Sequence, residues 1–332
     1  MPLGEFELID RFFRGVALEG AGEPSAVILG IGDDAALLNI KPGQQLVIST
    51  DSLVQGTHFP DEYSPDDLAY RAVAVAVSDI AAMAGRPLAF TLALTLPEVN
   101  ESWLARFAAG LTAAARDFEI SLVGGDTTRG PLNIGVTVLG RIRRGQEMRR
   151  QGARPGDLLC VGGPLGDGAA GLSVVLGESL PSSLDEADRA YLVKRFWRPQ
   201  AQCGLGLELA RVASAGLDVS DGLLADAGHL ARESAVALHI VGAALPCSPA
   251  LKRWPEAQRL EWMLTGGDDY VLLFTLPPAS YERLDVWRSA GWPVSVIGKA
   301  MPGEGVWLDA GKGPERFDRR AGYQHFQGTK DV

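Results

Sequence analysis

The chain has 332 residues, which predicts roughly two domains at about 150 residues per domain. Hydrophobic residues make up 46% and charged residues 22%, with a mean hydropathy of +0.06, and this composition excludes a disordered chain. The 31 basic residues against 41 acidic ones give a net charge of −10, which argues against a nucleic-acid or anionic-membrane partner. A polyanionic ligand would need metal ions as intermediaries.

Cysteine usage and the amino terminus favour a cytoplasmic protein. Cys160, Cys203 and Cys247 lie far apart in the chain, so they predict neither a disulfide framework nor a zinc site. Acidic residues stand among the first ten positions, where a secretory signal needs a basic start and an apolar core. The longest uncharged run, residues 234–251, contains two prolines and predicts a strand and a turn rather than a membrane helix.

Short apolar runs alternate with helix-forming segments in the first half of the chain. The patterns predict strands at residues 25–30, 45–50, 88–96, 120–123 and 133–139. They predict helices at residues 65–83 and 101–118. Glycines gather at the junctions of these elements, which is where α/β proteins build their sites.

A basic, polar stretch at residues 141–155 interrupts this alternation and predicts a domain boundary, although a long surface loop would leave the same pattern. We divide the chain into domains at residues 1–147 and 148–332. The second half repeats the alternation, with strands predicted at residues 157–161, 217–219, 270–275 and 294–297 and helices from residues 167 and 222. Each half also carries one Gly-Asp-Asp and one Ser-Asp, which suggests related chemistry.

Aspartates attached to apolar segments are the strongest chemical signal. They are Asp33, Asp34, Asp51, Asp79, Asp126, Asp218 and Asp221. Helix caps and turns would explain any one of them, but not easily the whole set. Asp79 interrupts a helix that is apolar on nearly every face, so we expect it to be buried. Since an unpaired buried carboxylate is costly to desolvate, these residues predict a bound cation.

The donor atoms in these segments indicate which cation that is. Ser49 and Thr50 stand beside Asp51, and no cysteine or histidine cluster accompanies the aspartates. Oxygen donors alone select a hard cation such as Mg²⁺, which usually completes its shell with water and substrate phosphates. Several aspartates at one site would repel a nucleoside triphosphate unless metals intervened, so the pattern predicts bridging ions and phosphoryl chemistry.

Several familiar motifs are absent or weak. The chain contains no P-loop and no protein-kinase motif set, and it has no nucleophile-elbow serine. Residues 166–171 read GDGAAG and match the dinucleotide fingerprint, but a tight turn with close helix packing explains these glycines equally well, so NAD is not predicted. His239 is interpreted as structural. His58, close to Asp51 in sequence, fits a ligand contact and a turn equally well.

The motifs together resemble the thiamine-monophosphate kinase family, in the superfamily that includes aminoimidazole-ribonucleotide synthetase and selenophosphate synthetase. The resemblance covers nearly the whole length, and the combination of GGDTTRGP with the Thr-His-Phe segment is specific to the kinase within this superfamily. It is carried by Gly4-Glu5-Phe6 and by residues 30–38, 49–59, 67–85, 124–131, 149–157, 218–226, 266–270 and 322–326. It implies a two-domain fold of the aminoimidazole-ribonucleotide-synthetase type. The fold class is α/β overall, with an α+β division into two domains. A mixed-sheet amino-terminal domain would bind ATP and Mg²⁺ and dimerise, and a larger carboxy-terminal domain would close over nucleotide and substrate.

The activity implied by the resemblance is ATP-dependent phosphorylation of thiamine monophosphate to thiamine diphosphate in a homodimer. The implied metal ligands are Asp34, Ser49, Thr50, Asp51, Asp79, Asp126, Asp218 and Asp221. The implied nucleotide contacts are Gly125, Asp126, Arg150 and Ser220, with Asp126, Arg150 and Asp221 as catalytic residues. His58, Asp268 and Tyr323 match substrate positions. Similar proteins usually have glutamate where this chain has Asp268, so its contact to thiamine would be looser or bridged by water.

Two other functions compete with the kinase. A ligase-like enzyme of the same superfamily would use ATP to activate an amide of a ribonucleotide and would ignore thiamine phosphate. A non-catalytic, Mg²⁺-dependent module would bind ATP without turning it over. The products formed from ATP distinguish the three possibilities.

Overall fold

The structure is a computed structural model that describes residues 5–16, 26–178 and 180–317. The chain forms two compact units, one of Met1–Met148 with Trp197–Arg211 and the other of Arg149–Phe196 with Val212–Val332. In the described ranges, no helix combines the length and apolar character needed to cross a membrane. The three cysteines all lie in these ranges and are free thiols.

The first unit is built on a four-stranded mixed sheet in the order β3-β6-β4-β5, in which β4 and β5 are parallel and the other pairs antiparallel. Its strands are β3 (Gln44–Val54), β4 (Arg86–Leu96), β5 (Ser121–Arg129) and β6 (Asn133–Arg143). A short antiparallel ribbon of β1 (Val27–Leu29) and β2 (Leu37–Leu38) precedes them. Residues 5–16 form helix α1 (Glu5–Leu8) and further short helical turns at the amino-terminal end.

Helix α2 (Pro65–Ala82) is the centre of this unit. It begins with proline at its first position and continues with Asp66 and Asp67, whose charges favour the positive end of the helix dipole. The sheet, helix α3 (Glu101–Asp117) and helix α6 (Cys203–Leu209) all pack against it. Nearly every residue of α2 is therefore buried, as its sequence predicts.

Residues 197–211 lie in the first unit, whereas the sequence-based division places them in the second. Arg198 explains this placement, because its guanidinium Nε lies 2.5 Å from Asp67 Oδ1 and its terminal nitrogen 3.4 Å from Asp66 Oδ2. The same guanidinium lies over the ring of Tyr70. These long-range contacts tie the segment to the start of α2, and no local pattern in the sequence reports them.

The second unit contains a seven-stranded sheet in the order β13-β12-β9-β11-β7-β10-β8. Its strands are β7 (Leu158–Val161), β8 (Ala215–Asp218), β9 (Ala237–Val241), β10 (Leu272–Leu276), β11 (Ser295–Met301), β12 (Gly305–Asp309) and β13 (Pro314–Arg316). Only β9 and β12 pair in parallel. Its helices are α4 (Asp167–Val175), α5 (Glu186–Trp197), α7 (Leu223–Ser234), α8 (Glu256–Thr265) and α9 (Arg283–Ser289). The expectation of a two-domain fold with mixed helices and sheets is confirmed.

Candidate active site

A cavity of about 750 Å³ opens in the first unit, a volume within the usual range for small-molecule sites. Its walls come from the amino-terminal segment, the loop at residues 31–36, strand β4 and strand β5. Three residues predicted from the sequence, Asp34, Gly125 and Asp126, line it together. The structure therefore joins two separate sequence motifs at one concave surface.

Strand β5 reaches this cavity because its pairing with β4 is irregular. The register between the two strands shifts between Phe90 and Thr91, and such an irregularity locally re-aims the side chains that follow. Gly125 has φ +155°, and a Cβ there would lie 2.0 Å from the carbonyl oxygen of Leu92, so only glycine fits. The sequence predicts that this strand ends at residue 123, but it continues and carries Asp126 inside it.

The Gly-Asp-Asp loop supplies the facing wall. Asp33 Oδ1 accepts the backbone N–H of Asp34 at 2.9 Å, and both residues are exposed to the cavity. This bond is the turn-forming role that the sequence allows for Asp33. The second aspartate of the motif is the predicted metal ligand, and its position on the cavity wall is compatible with that role.

Strand β3 separates its three predicted ligands onto two faces. The alternating exposure of the strand places Ser49 and Asp51 on the more buried side, whereas Thr50 faces the other way and bonds Thr137 at 2.9 Å. The Ser49 hydroxyl donates a hydrogen bond to the carboxylate of Asp79. The structure therefore joins Ser49 to Asp79 but does not bring Thr50 to them. Asp51 lies within the strand rather than at its end, because β3 continues to pair with β6.

Asp79 is less buried than the sequence predicts. Its neighbours along α2 are buried, but this residue is only partly buried, because α2 turns it toward Ser49 on edge strand β3. A serine hydroxyl therefore satisfies one oxygen of the carboxylate in the protein alone. A cation is compatible with this position but is not required to solvate it.

The oxygen donors suit a Mg²⁺ ion that is coordinated partly by protein and partly by water and substrate phosphates, rather than one coordinated by protein alone. Among the described residues, no three or more His, Cys, Asp or Glu side chains group closely enough to hold a metal. Mg²⁺ commonly takes one or two carboxylates and fills the rest of its shell with water and substrate phosphates. The pair Asp79 and Ser49 suits such partial coordination, as do Asp34 and Asp126 on the cavity wall. The complete set of eight ligands stays a prediction.

His58 closes the turn that follows β3. Its Nδ1 accepts the backbone N–H of Val54 at 3.0 Å, and Gly56 donates its N–H to the carbonyl of Phe59 at 2.9 Å. Because Nδ1 acts as the acceptor, the proton of the neutral ring lies on Nε2. The structure thus shows the turn role, while a contact from this histidine to substrate stays a prediction.

In the second unit, an aspartate that sequence reasoning missed organises the Ser-Asp motif. Asp226 Oδ2 accepts the backbone N–H of Ser220 at 3.0 Å and that of Asp221 at 3.1 Å. Burial, together with the charges of Asp218 and Asp221, raises the pKa of Asp226 to about 8. The sequence does contain a signal for this role. Asp226 is the third aspartate of the segment, five residues after Asp221, and it takes a buried position of an amphipathic helix.

Arg150 lies near the same motif. The pKa of His229 is lowered by burial first and then by the charges of Arg232 and Arg150, whereas Asp221 acts in the opposite direction. Arg150 and Asp221 are thus both close enough to act on one imidazole. The Arg150 side chain is exposed, and its carbonyl accepts the hydroxyl of Ser234 at 2.8 Å, which anchors the backbone there.

The GGDDY segment lies directly beside the Ser-Asp motif. Asp268 donates its backbone N–H to the Ser220 carbonyl at 2.9 Å, and Tyr270 donates its own to Val219 at 2.8 Å. Asp268 and Tyr270 have φ values of +69° and +51°, and the Tyr270 hydroxyl donates to Asp268 Oδ1 at 3.1 Å. The predicted substrate residue is thereby fixed next to a predicted nucleotide contact. Tyr323 lies outside the described residues.

The GDGAAG segment is explained by its contact with the same loop. Gly166 and Gly168 both donate backbone N–H groups to the carboxylate of Asp269, at 2.6 Å and 3.0 Å. In a dinucleotide fold the corresponding amides would face a pyrophosphate. A Cβ at Gly168 would lie 2.5 Å from the carbonyl oxygen of Asp268. Close packing and a protein carboxylate therefore account for these glycines.

Comparisons with known proteins also find two domains in this chain. The family described as AIR synthase related protein matches with its N-terminal domain over residues 32–142 and its C-terminal domain over residues 154–309. These matches cover both predicted phosphate-handling regions, from the cavity loop to the GGDDY segment. The chain is therefore a two-domain protein of the AIR synthase related class.

Its relatives define the family within that class. The thiamine-monophosphate kinase of Salmonella typhimurium is 44% identical over 329 residues, which cover 98% of this chain and 99% of the relative. A crystal structure of thiamine-monophosphate kinase from Stenotrophomonas maltophilia has 43% identity, 93% and 98% coverage and a TM-score of 0.84. A structure described as AaThiL complexed with AMPPCP and TMP has 33% identity, 98% and 99% coverage and a TM-score of 0.77. The chain belongs to the thiamine-monophosphate kinase family, which confirms the resemblance and the expectation of an enzyme.

Proposed function

We propose that this protein transfers the γ-phosphoryl group of ATP to thiamine monophosphate and so forms thiamine diphosphate. The observation that carries the proposal is the cavity lined by Asp34, Gly125 and Asp126 in a chain that matches this kinase family over nearly its whole length. A relative has been described in complex with AMPPCP and TMP, which supports ATP and thiamine monophosphate as the two substrates.

Mg²⁺ is the metal that we propose for this site. Four carboxylates line the cavity, those of Asp10, Asp33, Asp34 and Asp126. Without cations they would repel a triphosphate, and Mg²⁺, when bound, neutralises phosphate charge. The ligand set proposed for it is the one implied by the family motifs, Asp34, Ser49, Thr50, Asp51, Asp79, Asp126, Asp218 and Asp221. Of these, Ser49 and Asp79 are joined by a hydrogen bond, and Asp34 and Asp126 line the cavity.

The reaction needs no protein base. The attacking group is the phosphate of thiamine monophosphate, whose second pKa of about 6 leaves it ionised at neutral pH. One of its oxygens attacks the γ-phosphorus in line, the bond from that phosphorus to the β-bridging oxygen breaks, and ADP leaves. Catalysis then consists of positioning and of electrostatic stabilisation. We assign Arg150 to the charge on the transferred group and Asp126 and Asp221 to alignment of the phosphates, with no phosphoenzyme.

Substrate recognition is assigned to three residues. His58 is held by hydrogen bonds within its own turn and Asp268 by a backbone hydrogen bond to Ser220, which suits groups that orient a ligand. Tyr323 would stack on the cationic thiazolium, since an aromatic face attracts a cation. The nucleotide contacts that we propose are Gly125, Arg150 and Ser220.

A homodimer in the cytoplasm is the proposed assembly and location. Strand β3 lies at an edge of its sheet, and Leu46, Ile48 and Val54 project from its exposed face. An unprotected apolar edge strand is a site of chain-to-chain pairing. A sedimentation experiment should therefore give a mass near twice that of the chain, and Ile48→Lys should shift it toward the monomer.

Product analysis tests the proposed activity. The purified chain would be incubated with ATP, Mg²⁺ and thiamine monophosphate, with EDTA and no-acceptor controls, and thiamine diphosphate would be measured by chromatography. We expect equal amounts of ADP and thiamine diphosphate, abolished by EDTA and by Asp126→Asn. Asp285→Asn, on the exposed face of α9, is the matched control. ATP binding without thiamine diphosphate would favour the binding module, and phosphate release with a ribonucleotide would favour the ligase.

A further inference from the structure

The amino-terminal segment is a fixed wall of the cavity rather than a loose end. In residues 8–16, the side chains of Leu8, Phe12, Phe13 and Val16 are buried. The segment packs against α3 and β5, the strand that carries Asp126. Because these apolar contacts fix the backbone, the direction of the polar residues between them is set by the fold.

Two of these polar residues, Asp10 and Arg14, line the cavity. A terminal guanidinium nitrogen of Arg14 lies 3.0 Å from Asp10 Oδ1. The same group lies against Gly32, where an added Cβ would be only 3.2 Å from it. The guanidinium therefore rests on the backbone immediately before Asp33 and Asp34.

Arg14 differs in charge from the other residues described along the cavity. Of the described residues that line the cavity, four are aspartates and Arg14 is the one with a basic side chain. An arginine placed among carboxylates at an otherwise acidic surface can accept an anion there, and its planar group offers paired donors that match phosphate oxygens. The exposed pair with Asp10 is weak enough for a phosphate to replace it.

We infer that Arg14 is a nucleotide-binding residue whose guanidinium contacts the phosphates of ATP in this cavity, where they replace the carboxylate of Asp10 as its partner. The identity of the nucleotide rests on the proposed function. Arg14 takes no part in bond breaking under this assignment. Its contact is made equally in the ground state and in the transition state, so its loss weakens nucleotide binding and leaves the chemical step unchanged.

The chain offers a matched control in the same segment. Arg11 is about as exposed as Arg14, with 52% against 57% of the side chain accessible. It pairs with Glu101 of α3 at 2.8 Å and is not among the cavity-lining residues. Arg11→Ala therefore removes the same charge and a similar surface ion pair without touching the cavity.

The test measures binding of AMPPCP with Mg²⁺ by calorimetry, together with steady-state kinetics for both substrates. Loss of one charge-assisted contact predicts about tenfold weaker analogue binding and a matching rise in KM for ATP in Arg14→Ala. Arg14→Lys keeps the charge without the paired donors, so about a threefold loss is expected. Asp10→Asn removes a competing carboxylate and should strengthen binding about twofold. The kcat and the KM for thiamine monophosphate should change less than about twofold.

Equal behaviour of Arg14→Ala and Arg11→Ala would overturn the inference, as would a change confined to kcat. If Arg14→Ala lowers the melting temperature, Arg14→Gln and Arg14→Lys give the same comparison in a folded protein. The proposed function and the inference about Arg14 can be refuted independently. Arg14-dependent analogue binding without any thiamine diphosphate would refute the proposed function alone, whereas normal product formation with an unchanged KM for ATP in Arg14→Ala would refute the inference alone.

Discussion

The carboxylate of Asp269 accepts the backbone N–H of Gly166 at 2.6 Å, across 103 positions of sequence, and its second oxygen accepts that of Gly168 at 3.0 Å. Asp269 is completely buried, and Arg195 donates to its backbone carbonyl at 3.0 Å. It therefore joins the start of α4 to the loop that carries Asp268. The neighbouring aspartates of the GGDDY segment thus have different tasks, one inside the unit and one at the proposed substrate position.

Asp269→Asn should destabilise the protein. Asparagine offers one acceptor oxygen where two N–H groups need one each, and its amide would face a donor. Leaving a buried donor without an acceptor predicts a loss of about 2 kcal/mol in the free energy of unfolding. The midpoint of urea unfolding at neutral pH measures it. Asp268→Asn is the control, since Asp268 is only partly buried. Similar losses in both variants would contradict the distinction between the two aspartates.

Asp226 predicts a pH dependence of stability. Burial and the charges of Asp218 and Asp221 raise its native pKa to about 8, against about 4 in an unfolded chain. Between these values the native state holds a proton that the unfolded state releases, so this group's contribution to stability is lost as pH rises. In EDTA, the stability of the wild type relative to Asp226→Asn should fall by at least about 1 kcal/mol from pH 5 to pH 8. Parallel curves would contradict the assignment, and Mg²⁺ should reduce the difference.

Asp79 and Ser49 should set the Mg²⁺ concentration that the enzyme needs for half-maximal rate. Asp79→Asn removes a proposed ligand charge, so the Mg²⁺ concentration for half-maximal rate should rise about tenfold or more. Ser49→Ala removes an uncharged proposed ligand, the hydroxyl that also donates to the Asp79 carboxylate, and should raise this concentration by a smaller factor. Mg²⁺ titrations of the initial rate measure both effects, with Asp285→Asn as the control for charge. An unchanged requirement in Asp79→Asn would remove this residue from the ligand set.

Tyr270 should affect the binding of thiamine monophosphate, the phosphoryl acceptor, and not the binding of the nucleotide. Its hydroxyl donates to the carboxylate of Asp268, so Tyr270→Phe removes that hydrogen bond while leaving the backbone bonds of the loop in place. We expect the KM for thiamine monophosphate to rise about threefold, the typical effect of one modest hydrogen bond, with the KM for ATP unchanged. Asp268→Asn should have a larger effect in the same direction. A rise in the KM for ATP in Tyr270→Phe would argue against a substrate role for this loop.

The sequence alone establishes most of the secondary structure and the chemistry of the donors. The apolar run of α2 and the alternating strands are local patterns, so they predict elements whose bounds differ by a few residues from those in the structure. The predicted end of β5 at residue 123 is the largest error among the first-half strands. It arises because glycines and an aspartate look like a loop, whereas pairing with β4 satisfies their backbone groups as a strand.

Which donors share a surface is decided only by the tertiary structure. Ser49 and Thr50 are neighbours in sequence but point to opposite faces of β3, while Asp79 and Ser49 meet across 30 positions. Arg14 carries no motif, and its place on the cavity wall follows from the packing of the segment around it. The sequence by itself determined an acidic, oxygen-rich chain of about two domains, because residue type and periodicity are local properties, and its motifs carried the resemblance to this family. The fold decided which aspartates face the ligand and which hold the protein together, because hydrogen-bond partners and strand register are set by contacts distant in sequence.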